Sequence, residues 1–130
     1  MGQNNMIYQL LAVGAGGFLG AVFRSLSLLV FANKFGLSSI YGVLFVNVTG
    51  SFIAGLFTGL PESMQGNYLR YFIITGFLGA LTTFSAFSLD NMGLLKLGQY
   101  KVLAINIILN IVLTLIFVMA GYTLSKKVFG

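Results

Sequence analysis

Apolar residues run along this chain in four stretches divided by short polar joints. The first covers 7–31, broken only by Gln9, Arg24 and two serines, and closes on Asn33, Lys34, Phe35 and Gly36, a helix stop. The second covers 42–60 and ends before Pro61 and Glu62, where the proline falls past the helix and does no damage. The third starts near Leu69, but only about a dozen apolar residues pass before Thr82-Thr83-Phe84-Ser85-Ala86-Phe87-Ser88, followed by Asp90 and Asn91. The fourth, 102–125, is long and strongly apolar, with Lys126 and Lys127 behind it as interfacial anchors.

A helix of about 20 apolar residues crosses the hydrocarbon core of a bilayer. The pattern therefore predicts an all-α membrane protein, one domain over 1–130, with helices at 7–31, 42–60, 69–97 and 102–125 and the third broken near its middle, between 79 and 88. Composition agrees, since 58% of the residues are hydrophobic, 7% are charged and the mean hydropathy is +0.98. Residues 1–6 carry no basic group and no small-residue cleavage site follows the first run, so that run is expected to stay in the membrane.

The net charge of +5 comes from basic residues spread along the chain without a stripe, which argues against nucleic acid as a partner. Cysteine and histidine are absent, excluding disulfides, thiolate metal sites and imidazole chemistry. Glu62 and Asp90 are the only acids, and Glu62 falls in a loop, so no carboxylate pair is available and no enzyme is expected. With both termini on one side, Arg70, Lys126 and Lys127 face Lys34, Lys96 and Lys101, with Arg24 deeper toward the latter group. Orientation follows an excess of Lys and Arg. A balance this even predicts insertion both ways and, with it, an antiparallel two-fold homodimer.

A helix break at membrane depth persists only inside protein or against a wet cavity, because an unsatisfied amide in hydrocarbon costs several kcal/mol. Carbonyls freed at the break can bind a cation, and freed amides or hydroxyls an anion. Phe84 and Phe87, three apart, point the same way on a helical turn. Their rings either pack or offer their positive edges to an anion. Asn106, Asn110 and Thr114 recur at i, i+4 and i+8, a stripe that serves either as a polar track for an ion or as hydrogen-bonding glue between helices. Asn47, between Val46 and Val48, needs a partner or water, and Arg24 is either functional or snorkels to the interface. Glycine pairs at small-xxx-small spacing, Gly16 with Gly20, Gly50 with Ala54 and Gly55 with Gly59, are explained by close helix packing alone. The stretch 14–17 lacks the strand and the Gly-Lys-Ser/Thr of a phosphate loop.

Three motifs together resemble a known family, the small fluoride channels called Fluc or CrcB proteins. They are 16–24 (Gly-Gly-Phe-Leu-Gly-Ala-Val-Phe-Arg), Val46-Asn47, and above all 75–88 (Thr-Gly-Phe-Leu-Gly-Ala-Leu-Thr-Thr-Phe-Ser-Ala-Phe-Ser). The resemblance implies an antiparallel dual-topology homodimer in the cell membrane with two pores and passive fluoride export. It also implies a structural Na+ at the dimer centre, held by backbone carbonyls that match Gly79 and Thr82. Phe84 and Phe87 match rings whose edges face fluoride, Asn47 the pore asparagine, Asn110 and Thr114 the polar track, and Arg24 a basic residue near a pore mouth. Thr83 and Ser88 complete the expected pore lining. The chain departs from the family at Ala86 and Val43, where threonine is usual, and at Asn106 and Asn110, where an aromatic or histidine and a small serine are usual.

Two other readings compete. A small dual-topology drug or cation exporter has similar length but needs a carboxylate in the first segment to couple protons, and that segment has none. A purely structural membrane subunit accounts for the glycines and leaves the broken helix unexplained.

Overall fold

A computed structural model describes residues 2–34 and 39–130 of the chain, with side chains from Asn5 onward. The described residues form helices and turns with no strand. Four spans are long and apolar enough to cross a membrane: Asn5–Asn33, Ser39–Gly59, Asn67–Lys96 and Tyr100–Phe129. Large apolar side chains lie open over the outer faces, such as Leu10 and Phe18 on the first span and Ile108 and Met119 on the last. Such a surface is stable against lipid rather than water, and the chain is a multi-pass membrane protein.

The helices are α1 (Gly2–Asn33), α2 (Ser39–Gly59), α3 (67–81), α4 (Phe84–Lys96) and α5 (Tyr100–Phe129). Each outer helix runs past the expected apolar limits, because polar end residues keep making helical hydrogen bonds once the apolar stretch is anchored. Asn33 ends α1 and the Lys34 N–H still reaches the Val30 carbonyl at 2.9 Å; Phe35 and Gly36 of the expected stop lie outside the described residues. Pro61 follows α2 and leads into a 3-10 turn at Glu62–Met64. The α4–α5 joint turns at Gly98, whose φ of 67° is open to glycine without a Cβ penalty.

Two helix pairs build the bundle, α1 along α3 and α2 along α5. Glycine lets each pair close. A Cβ on Gly16 would run into the Phe72 carbonyl and one on Gly20 into that of Phe77; across the other pair, Gly55 meets the Val118 carbonyl and Gly121 that of Phe52. Backbone contact this close replaces the hydrophobic drive that lipid does not supply. Val46 is fully buried against Leu78 and Leu81, which joins the two pairs at the level of the break.

Within α3, Tyr71–Leu78 is wound as a π-helix between short α-helical ends, and the Gly79 N–H lies on the carbonyls of Gly76 and Ile74. The break itself is narrower than expected. Thr82 (ψ 152°) and Thr83 (φ −151°, ψ 117°) are extended, and the helix resumes at Phe84, so Phe84, Ser85, Ala86, Phe87 and Ser88 are helical rather than part of an irregular box. The restart has a local cause: the Ala86 N–H donates to Thr83 Oγ1 at 3.1 Å, a side-chain N-cap that satisfies one of the orphaned amides of the new first turn.

Candidate functional site: a polar and aromatic cleft at the helix break

Asn47, at mid-depth on α2, holds the break open. The Thr83 N–H donates to Asn47 Oδ1 at 2.8 Å, and Asn47 Nδ2 donates to the Thr83 carbonyl at 3.3 Å and to Asn110 Oδ1 at 3.1 Å. The side-chain amide thus replaces the helical partners that Thr83 loses, which is why two extended residues survive at membrane depth.

Around that clamp lies an open cleft of about 290 Å³ lined by Asn47, Ser51, Thr82, Thr83, Phe84, Phe87, Asn110, Ile111 and Thr114. Six of the residues expected to line a pore, Asn47, Thr83, Phe84, Phe87, Asn110 and Thr114, therefore meet in one place. The two rings stand 5.4 Å apart at 48°, and their settings differ: Phe87 is 8% exposed and Phe84 is 78% exposed. Asn106 and Asn110 are buried, and Asn110 Nδ2 donates back to the Asn106 side chain and carbonyl at 3.0 and 3.1 Å.

Ser88 and Arg24 are not brought to this cleft. The Ser88 hydroxyl donates to the Phe84 carbonyl at 2.9 Å on the exposed side of α4, and it does not line the cleft. Arg24 is half-buried on α1, the helix paired with α3 rather than with α2 and α5.

Hydroxyl protons in the cleft are not equivalent. Ser51 donates to the Asn47 carbonyl at 2.7 Å, Thr82 to that of Leu78 at 2.8 Å and Thr114 to that of Asn110 at 2.6 Å. Thr83 Oγ1 instead accepts from Ala86 and shares a 3.2 Å contact with Ser85 Oγ in which either can donate. Of these four hydroxyls, Thr83 alone has a proton that no backbone carbonyl holds.

Gly79 and Thr82 line a second cavity of about 250 Å³ together with Gly50, Ser51 and Ala54, and Thr82 lines the first cleft as well. The N–H that would continue the helix onto the Gly79 carbonyl belongs to Thr83 and goes to Asn47. The one that would meet the Thr82 carbonyl belongs to Ala86 and goes to Thr83 Oγ1. Both carbonyls thus lose their helical donors to the side chains that make the break.

Sequence reasoning misses Ser51, which lines both cavities. A signal for it exists, since it stands four residues after Asn47 on the same face of α2. Asn91 is missed as well: its Oδ1 accepts from Asn106 Nδ2 at 2.9 Å.

Four apolar spans and a broken third span that opens a polar, aromatic cleft define the class: an integral membrane protein with a polar cavity at a helix break. A family profile described as CrcB-like protein, Camphor Resistance (CrcB), matches residues 11–122. The chain is 48% identical over 122 residues to a protein of Campylobacter jejuni (serotype O:23/36, strain 81-176), covering 93% of this chain and 100% of the relative. It is 44% identical over 126 residues to one of Methanocaldococcus jannaschii, covering 95% and 99%. Both relatives bear the name fluoride-specific ion channel FluC. The chain belongs to the CrcB family.

Proposed function

We propose that this protein is a fluoride-selective channel, not an enzyme, which lets the anion leave the cytoplasm passively after entry as neutral HF. The observation that carries the reading is the cleft at the break, lined together by the Thr83 hydroxyl, the side-chain amides of Asn47 and Asn110 and the rings of Phe84 and Phe87. Relatives named as fluoride channels and matched over nearly their full length support the choice of ion. Fluoride holds its water tightly, so a selective path has to replace that shell group by group. Thr83 offers its hydroxyl proton, Phe84 and Phe87 the positive edges of their rings, and Asn47, Asn110 and Thr114 line the path. Arg24 is the proposed cation near the mouth.

The assembly we propose is an antiparallel homodimer inserted in both orientations, with two pores. The 78% exposure of Phe84 supports it, because an aromatic pore residue left bare by its own chain needs a second wall. Gly79 and Thr82 fit a structural Na+: both carbonyls have lost their helical donors, and oxygen is the ligand that a hard cation takes. Among the described residues no cluster of His, Cys, Asp or Glu offers a competing metal site. Two carbonyls from each of two copies would surround the ion, whose charge would hold the broken helices together.

The test is efflux from liposomes driven by membrane potential alone, with no pH gradient. Fluoride should leave at a rate set by the potential. Efflux that needs a proton gradient, or movement of an organic cation instead, would favour the exporter reading and overturn the channel.

A further inference from the structure

Four asparagines form an unbroken chain of side-chain amides through the protein. Asn47 Nδ2 donates to Asn110 Oδ1 at 3.1 Å, Asn110 Nδ2 to Asn106 Oδ1 at 3.0 Å, and Asn106 Nδ2 to Asn91 Oδ1 at 2.9 Å. The chain starts on α2, steps down α5 and ends on α4, the helix that follows the break.

Its direction is fixed. A carboxamide can be turned end for end, and the surrounding hydrogen bonds decide which end is oxygen. The Thr83 N–H can only donate, so the Asn47 atom that it meets is Oδ1, and Nδ2 faces Asn110. The Asn106 carbonyl can only accept, so it fixes Asn110 independently and in the same sense. Each later link then has one arrangement, and the last acceptor is Asn91. The donors of Asn47 are thereby committed to Thr83 and Asn110, and those of Asn110 to the side chain and carbonyl of Asn106. An anion in the cleft gains an amide proton only when one of these links is exchanged.

We propose that Asn91 is a positioning residue, the terminal acceptor of an amide relay that acts through Asn106 and Asn110 to hold Asn47, and so controls when the cleft amides can turn to an anion. The consequence for fluoride rests on the channel reading above; the relay itself does not. Asparagine suits each inner link because a carboxamide both donates and accepts. The terminal position needs only an acceptor, which makes the relay testable by chemistry rather than by size.

The experiment follows the side-chain NH2 signals of Asn47 by NMR on asparagine-labelled protein in detergent, with fluoride efflux measured on the same preparations. Asn91→Leu removes the acceptor and should shift or broaden the Asn47 signals although the two residues share no direct bond. Asn91→Asp keeps an acceptor and should leave them near the parent position. Efflux in Asn91→Leu should fall about tenfold, the change expected when one ordinary hydrogen bond is lost. Asn47 signals that stay put in Asn91→Leu, or that move equally in both variants, overturn the relay. Should Asn91→Leu fail to fold, movement of the Asn47 signals in Asn91→Asp alone would overturn it as well. A parent protein that shows the amide pattern but moves no fluoride upholds the relay and overturns the fluoride reading instead.

Discussion

Asn47 and Thr83 grip each other in both directions: the Thr83 N–H donates to Asn47 Oδ1 at 2.8 Å, and Asn47 Nδ2 returns a bond to the Thr83 carbonyl at 3.3 Å. One side chain thereby satisfies both backbone groups of the residue at which the third span changes direction. Asn47→Leu removes both partners at once and leaves a buried donor and acceptor, each costing about 1–3 kcal/mol. The variant should lose stability in detergent and conduct fluoride at less than a tenth of the parent rate, as read by thermal unfolding and liposome efflux.

Thr83 serves the fold as N-cap and the proposed path as hydroxyl donor. Thr83→Val keeps the shape, loses about 1 kcal/mol from the missing cap and should also reduce efflux. Thr83→Ser keeps the hydroxyl and should restore both. If Thr83→Val conducts like the parent, the hydroxyl has no part in the path.

The two phenylalanines should separate function from stability. Phe87 is 8% exposed, so Phe87→Ala leaves a cavity and should cost about 3 kcal/mol. Phe84, largely bare within its own chain, contributes little to that core. Phe84→Ile should therefore abolish efflux while size-exclusion chromatography still shows the proposed dimer, and normal conduction in that variant would contradict the ring-edge mechanism.

Much of the fold is legible in the residue pattern. Apolar runs long enough to cross a bilayer set the four spans, and a seven-residue run poor in aliphatic side chains marks where the third one fails. The extent of the failure is not legible, because Thr and Ser read as helix-breaking polar residues while Thr83 acts as a cap that restarts the helix. Within the restarted helix the Ser88 hydroxyl is exposed and bonded to the Phe84 carbonyl. The stripe of Asn106, Asn110 and Thr114 shows its helical period, but its partners depend on register between helices. Asn91 meets Asn106 only because the turn at Gly98 folds α4 back on α5. The π-helical winding at Tyr71–Leu78 has no signature in the residue pattern.

Sodium should matter to assembly rather than to the path. If the proposed ion is bound, replacing Na+ by a large organic cation should lower the melting temperature of the proposed dimer and leave the helical content unchanged, as followed by circular dichroism and size-exclusion chromatography. Identical melting in both solutions would remove the ion from Gly79 and Thr82.

Orientation is checked by a reporter fused to the C-terminus. Near-even Lys and Arg counts on the two sides predict activity on both faces of the membrane. A signal from one face only would exclude the antiparallel dimer.

The central claim is that this cleft passes fluoride and refuses other halides. The most direct measurement loads the purified protein into liposomes holding equal fluoride and chloride, opens a potassium gradient, and follows both anions with ion-selective electrodes. The account predicts rapid fluoride efflux with chloride retained. Chloride leaving alongside fluoride, or neither anion leaving, would contradict it.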